Sequence, residues 1–331
     1  MVEDGNKHYD SRDHCNAIVE TATNKLLRAC VNSTIPYGIE VIGKEAFTSL
    51  HQLASVNIPS SVTSIEDYAF EYCRSLTSVT IPSSVTSIGI NPFCDCSSLQ
   101  ALVVDEGNKW YDSRNGCNAI IETATGRLVA GCDVSNIPHG VTAIGESALE
   151  GCSISSIDIP SSVTSIERFA FVLSELTSVD IPSSVKFIGE NAFSNCHFLN
   201  NVIIRSGAIS MEERAFAYNS LKDVYIYGTE MPECSLDDQI FYYAISEESN
   251  ALTLHVDASL VDKYKGTSPW TDWFTDIVAL NKETGIENVD ANTNTMETYS
   301  VYSVDGKSLP TMQKGINILR SKTGKNVKVF K

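Results

Sequence analysis

The chain has 331 residues, with 41 Asp and Glu against 24 Lys and Arg and a formal charge of −17. Its cations form no basic patch, which argues against nucleic acid and anionic membrane as partners. No run of eighteen apolar residues is present to cross a bilayer as a helix, and no signal peptide opens the sequence.

The first element is a long unit at about 4–34. NAIVE and KLLRA flank T-A-T-N there, and Asn24 falls where a tight turn needs positive φ, so a protruding hairpin is expected. The preceding Y-D-S-R is polar and reads as a lead out of the strand. Met1-Val2-Glu3-Asp4-Gly5 aligns with Val103-Val104-Asp105-Glu106-Gly107, as if the chain began inside a strand whose coil is absent, behind a lost leader or further coils. An uncapped apolar edge is then expected at residues 1–30.

Short coils follow. I-P-S-S-V-T-S-I stands at Ile58, Ile81 and Ile159, becomes I-P-S-S-V-K-F-I at Ile181, and has looser copies at Ile35 and Ile137. A block returning every 22 or 23 residues with apolar residues at fixed places marks a solenoid. Val56/Ile58, Val79/Ile81, Ile157/Ile159 and Val179/Ile181 alternate with polar residues, predicting one short strand per unit with one face buried. Pro follows at 36, 59, 82, 138, 160 and 182, where its missing N–H ends the ladder. A second apolar alternation, Val62/Ile65 or Val163/Ile166, leads to Ala-Phe at 46/47, 69/70, 170/171, 192/193 and 215/216, whose rings should stack in one column. Some eight coils spaced by about 4.8 Å would give a rod of roughly 40 Å. A second long unit at about 106–136 repeats the first at an offset of 102 residues, from Gly5 to Gly107.

The repeat I-P-S-S-V-T-S-I-G…A-F…C, together with Y-D-S-R…C-N-A-I-I-E-T-A-T…G-C, resembles the BspA-like leucine-rich repeat surface proteins of Bacteroidota. This likeness implies a right-handed leucine-rich-repeat solenoid of short parallel strands and short helical or 3-10 turns over residues 1–281. V-D-A-S-L-V-D-K-Y-K…W-T-D-W-F-T-D-I-V is similar to the helical cap of such arrays, at about 256–280, and the tail resembles a small secretion- or sorting-type β-module at 282–331, with Asp305-Gly306 as a hairpin turn. Trp270 and Trp273 are expected to bury the last coil's open end. The resemblance further implies a secreted or surface-displayed protein that adheres to a host or neighbouring-cell protein or glycan. A structural spacer that displays another domain without its own ligand is the alternative.

Cys73, Cys96, Cys152 and Cys196 share one column beside the Phe turn, which reads as a buried ladder of thiols. Cys15/Cys30 and Cys117/Cys132 bracket the two hairpins. If pairing is symmetric about Ala22-Thr23 the two sulfurs face each other as a disulfide; if Asn24 is a bulge residue, the register moves by one and they point to opposite faces. No zinc-type spacing, calcium loop, phosphate loop or nucleophile elbow occurs, and the six histidines occupy unrelated repeat positions, so neither a cofactor, a metal nor an enzyme is expected.

By alternation the outward residues of the strands are Ser55/Asn57, Ser78/Thr80, Ala101/Val103, Ser156/Asp158, Ser178/Asp180, Asn201/Ile203 and Asp223/Tyr225. The early part of the row is small and neutral. The later part gains acids and an aromatic ring, so Asp158, Asp180, Asn201, Asp223 and Tyr225, with Tyr227 beside them, form the candidate ligand face, with the acids selecting a cationic partner. His8/Tyr9 and Trp110/Tyr111 at the hairpin rims are expected to fold back over the neighbouring coil.

Overall fold

A computed structural model of the chain describes residues 2–3, 5–232, 234, 239–245 and 251–280, and the backbone of strands within 299–330. Two compact units result, Met1–Val278 and Ala279–Lys331. The first is a β-solenoid of about ten turns.

In the first long unit β1 (Tyr9–Asp10), β2 (Ile18–Glu20) and β3 (Lys25–Arg28) pair antiparallel in sequence order. The turn residue Asn24 has φ 51°, as its position requires, and Gly126 in the second copy has φ 72°. The hairpin does not protrude. Its strand β3 pairs in parallel with β4 (Val41–Ile42), which is followed by β5 (Ser64–Ile65). The meander therefore continues a sheet built from the second apolar alternation of each coil. Nor does Y-D-S-R lead outward: Tyr9-Asp10 is laddered, and Asp10 turns back to bind Arg12 at 2.7 Å.

Next come β6 (Ser78–Ile81), β7 (Ser87–Ile88) and β8 (Ala101–Val104), then the second meander, β9 (Tyr111–Asp112), β10 (Ile120–Glu122) and β11 (Arg127–Ala130). The later coils supply β12 (Ala143–Ile144), β13 (Ser165–Ile166), β14 (Ser178–Ile181), β15 (Phe187–Ile188), β16 (Asn201–Ile204), β17 (Ser210–Met211), β18 (Asp223–Ile226) and β19 (Thr253–Val256). Coils thus give two short strands rather than one. One kind, V-x-I, forms the sheets β6-β8 and β14-β16-β18-β19, the latter joined at its edge by a fifth strand, Asp276–Ala279; the other forms β1-β2-β3-β4-β5-β7 and, from the second meander, β9 to β13, β15 and β17.

The strands expected at Val56/Ile58 and Ile157/Ile159 are not formed. Both stretches lie in the second coil after a hairpin, where a Pro-containing segment leaving the hairpin offers no ladder on one side. A single backbone bond joins each to the next coil, Thr77 N to Ala54 O at 3.3 Å and Thr177 N to Ser155 O at 3.1 Å.

A third seam runs along the Ala-Phe turns, where Phe47 N donates to Ala69 O, Phe171 N to Ala192 O and Phe193 N to Ala215 O at 2.7 to 2.8 Å. Under it the rings stack as expected, but in two columns. Phe47, Phe70 and Phe93 lie 4.8 and 5.4 Å apart, and Phe171, Phe193, Phe216 and Phe241 lie 4.9, 5.1 and 5.4 Å apart. Leu149 occupies the ring position between the columns. The cysteine column is buried as read, with a polar task added. The thiols of Cys73, Cys96 and Cys196 donate to the carbonyls of Phe47, Phe70 and Phe171 at 3.1 to 3.2 Å. One coil later Asn219 takes over, donating to Phe193 O at 2.9 Å.

The core is split by the second meander. Cys117, Ala119, Ile121 and Leu128 face the later core, while Ile120, Val129, Ala130 and Cys132 face the earlier one. Of the two alternatives for the hairpin cysteines the register follows the offset one, though with the bulge away from Asn24, and all four are free thiols. Leu27 and Val129 are the bulge residues, since Ile18 pairs with Arg28 and Val19 with Leu26, and Ile120 with Ala130 and Ile121 with Leu128. The shift sends Cys117 and Cys132 to opposite faces, and likewise buries Cys15 while leaving Cys30 exposed.

At the far end, α1 (Val261–Lys265) and α2 (Trp270–Trp273) precede β20 (Asp276–Ala279). Trp270 is buried, and both indoles pack on Phe241, ending the ring column. In the second unit β21 (Tyr299–Tyr302), β22 (Ser308–Leu309), β23 (Ile316–Ser321) and β24 (Asn326–Phe330) form an antiparallel sheet in the order β22-β21-β23-β24. Asp305-Gly306 lies outside the described residues.

Candidate functional site

The outward row of the later V-x-I sheet is set by its parallel register. Asn201, Asp223 and Thr253 follow Ser178 across the sheet, and two residues further along the strands Ile203, Tyr225 and His255 follow Asp180. Inward neighbours Val179, Val202, Val224 and Leu254 are buried, which fixes these side chains outward. Four of the five expected residues are thereby brought onto one ladder. Asp158 is exposed in the preceding coil but belongs to no strand, so it stands outside that ladder.

The acids are not bare. Arg205 grips Asp180 through two bonds, Nε to Oδ1 at 2.8 Å and Nη2 to Oδ2 at 2.5 Å, and its guanidinium carbon lies 5.7 Å from the Tyr227 ring centre. That bond to Asp180 pushes the Arg205 guanidinium further up. His255 Nε2 donates to Asp223 Oδ1 at 2.7 Å. Its ring stacks on Tyr225 with centroids 4.3 Å apart and 12° between planes. Burial pushes the Tyr225 hydroxyl above its ordinary value, and the Asp223 carboxylate adds to the effect. Tyr227 is likewise raised by burial, against the opposing pull of Arg205.

A patch that selects a cation by uncompensated acid is therefore replaced by a mixed surface. It holds a two-ring platform, two carboxylates already oriented by their partners, one guanidinium and the Asn201 amide. Such groups suit a ligand with apolar faces and many hydroxyls or amides, since the rings give area at low entropic cost and the polar groups give orientation. Two contributors went unseen in the sequence. Arg205 follows the strand immediately, at a place where the earlier repeats carry Pro-Ser-Ser turns or Asp105. His255 lies 30 residues after Tyr225, beyond a segment that breaks the 22-residue period, and only the pairing of β18 with β19 reveals its register.

Tyr111 does fold back, buried, with its hydroxyl accepting the Ile88 N–H at 2.9 Å, whereas Trp110 remains exposed. Among the described residues no group of three His, Cys, Asp or Glu side chains is placed to hold a metal, and no helix is long and apolar enough to cross a membrane.

Two kinds of sheet wound by coils of 22 or 23 residues, with an exposed face on one kind, define a leucine-rich-repeat solenoid, a class of binding module. The chain belongs to the BspA type leucine rich repeat family, whose repeat region matches residues 25–122 and 130–246 in six copies. Among solved structures it is similar to a leucine rich cell surface protein of Faecalibacterium prausnitzii A2-165, with 23% identity and a TM-score of 0.56 over 73% of this chain and 61% of that one. It is also similar to the pneumococcal vaccine antigen PcpA, with 22% identity and a TM-score of 0.55 over 74% of this chain and 67% of that one. This chain thus spans about three fifths of the length of the former. No curated protein sequence matches it. Both family and fold are of a non-enzymatic kind.

Proposed function

We propose that the protein is a secreted or surface-displayed binding protein that holds an extracellular protein or glycan on the later V-x-I sheet face. The observation that carries this reading is the stacked Tyr225–His255 pair at 4.3 Å, held by the Asp223–His255 bond and separated from the Asp180–Arg205 couple along the same row by Ile203. Aromatic rings and arginine are the side chains that most often anchor an interface, and the early face, with Ser78 and Thr80, offers neither. Relatives of this fold described as a cell surface protein and a vaccine antigen support the location.

The test is saturable binding of the purified chain to immobilised matrix proteins and glycans, beside the triple variant Asp180→Ser, Tyr225→Ser, His255→Ser and the early-face control Thr80→Ala. Binding that survives Thr80→Ala and is lost in the triple variant supports the reading. Binding unaffected by the triple variant moves the site elsewhere. No binding by the parent leaves the chain as a spacer.

A further inference from the structure

The turns that carry the ring column also set a ridge along the third seam. In the later coils the residue two before the ring is Phe169, Asn191, Arg214 and Gln239, and the residue two after it is Leu173, Asn195, Tyr218 and Tyr243, all with φ between 47° and 60°. Asn tolerates this left-handed conformation, whereas a bulky ring is strained in it. Tyr218 and Tyr243 nevertheless occupy it on consecutive coils, held in step by Tyr218 N donating to Tyr242 O at 2.8 Å.

The three tyrosine rings form one cluster. Tyr242 meets Tyr218 edge-on at 5.7 Å and Tyr243 edge-on at 4.3 Å, while Tyr218 and Tyr243 lie 6.0 Å apart with 24° between planes. Tyr243 is 69% exposed and Tyr218 37% exposed. Beside them Arg214 Nε and Nη2 both donate to Gln239 Oε1, at 3.2 and 3.1 Å, which locks the two planar groups together. The Tyr243 hydroxyl pushes the Tyr242 hydroxyl above its ordinary value, and the Arg214 charge opposes that rise. One coil earlier Asn195, in the Tyr218 column, adds a further amide, its N–H donating to Ala217 O at 3.0 Å.

These distances select a class of ligand. Rings 4.3 to 6.0 Å apart touch one another, leaving no space between opposed faces for a quaternary ammonium and no groove for a proline helix. An acidic ligand meets a chain of formal charge −17, and the Arg214 cation is already shared with Glu213 at 3.4 Å. What remains is an outer ring face flanked by amide, guanidinium and phenol groups. That combination matches a hexose, whose C–H face packs on a ring while its hydroxyls donate and accept hydrogen bonds.

We infer that Tyr218, Tyr242 and Tyr243, with Arg214 and Gln239, form a second binding site, on the third seam, for a neutral hexose polysaccharide. It shares no residue with the sheet face bearing Tyr225 and His255, so neither site depends on the other.

The test is affinity electrophoresis of the full chain through gels containing mannan, galactan, β-glucan or α-glucan, with polygalacturonate as the acidic control. The parent should be retarded in at least one neutral gel. Tyr243→Asn and Tyr218→Asn remove a ring while supplying the residue that the same turn already holds at Asn195, and each should abolish the retardation. Tyr243→Phe, which keeps the ring, should retain it, and so should the sheet-face triple variant Asp180→Ser, Tyr225→Ser, His255→Ser. No retardation in any neutral gel, retardation by polygalacturonate alone, or equal retardation of the parent and Tyr243→Asn overturns the inference. Tyr243-dependent binding of a proline decamer in place of any polysaccharide also overturns it, and makes the ridge a peptide site.

Discussion

Replacing Phe193 with alanine removes a fully buried ring that stacks on Phe171 at 4.9 Å and on Phe216 at 5.1 Å. Losing a buried phenylalanine costs about 3–5 kcal/mol, and this site cannot collapse, because the Ala-Phe turns above and below are tied by backbone bonds. The later core, running from Cys117 to Ile277, is separate from the earlier one, so it should melt as its own unit. At about 2.1 cal/mol/K per residue, its roughly 160 residues carry about 0.34 kcal/mol/K, so a loss of about 4 kcal/mol lowers its midpoint by about 12 °C. Were the whole solenoid one unit of about 280 residues, the same loss would lower a single midpoint by about 7 °C. Differential scanning calorimetry of the parent, Phe193→Ala and Phe70→Ala separates the two cases. The expected result is two endotherms, with the upper or lower one moved by each variant alone. A single endotherm moved equally by both would refute the two-unit reasoning, and a shift under about 2 °C would refute the cost assigned to the ring.

Two further outcomes follow from titrating groups. Burial pushes Glu150 and Asp95 above the ordinary carboxylate range, and Asp95 with Glu71 adds to the rise at Glu150. With folded values above unfolded ones, their contribution is fully present below about pH 4 and is lost as pH climbs through the raised values. Glu150→Gln should therefore raise the melting temperature at pH 8 and have little effect at pH 4; an equal gain at both would count against it. For the thiols, Ser33 and the Asn32 backbone hold Cys30 low, while burial pushes Cys73 up to about 12 and Cys196 up to about 11. Iodoacetamide at pH 7.5 should label Cys30 first and spare Cys73 and Cys196 until the chain is unfolded. A Cys15–Cys30 pair that resists labelling in unfolded, unreduced protein would contradict the bulged register.

The coil was legible because its sequence repeats its own physics. Val79 and Ile81 show a face, Pro82 shows an end, Phe70 and Phe193 show a column, and Asn24 shows a positive φ. What stayed hidden depends on partners distant in the chain. Alternation around Ile18 says that the hairpin has two faces, but not that it lies in the plane of the second sheet. The bulge at Leu27 leaves no mark in its residue type, so the choice between bonded and opposed cysteines could not be made. Asp180 and Asp223 read as free acids because Arg205 lies 25 residues from one and His255 lies 32 residues from the other. Neither distance is a multiple of the visible period.

The meander that divides the two cores also makes the 102-residue block interchangeable. The first block opens on a hairpin and closes on a coil that the second hairpin covers, so copying it would repeat most buried contacts, with Arg28 falling where Ala130 is now buried. Recombination between the near-identical stretches around Gly5 and Gly107 could lengthen or shorten the array by a whole block in one event. Drift within a block has no such freedom, since Cys96, Asn108 and Tyr111 each answer to a backbone atom one coil away. Lineages carrying this gene would then vary in block number sooner than in the residues that join blocks.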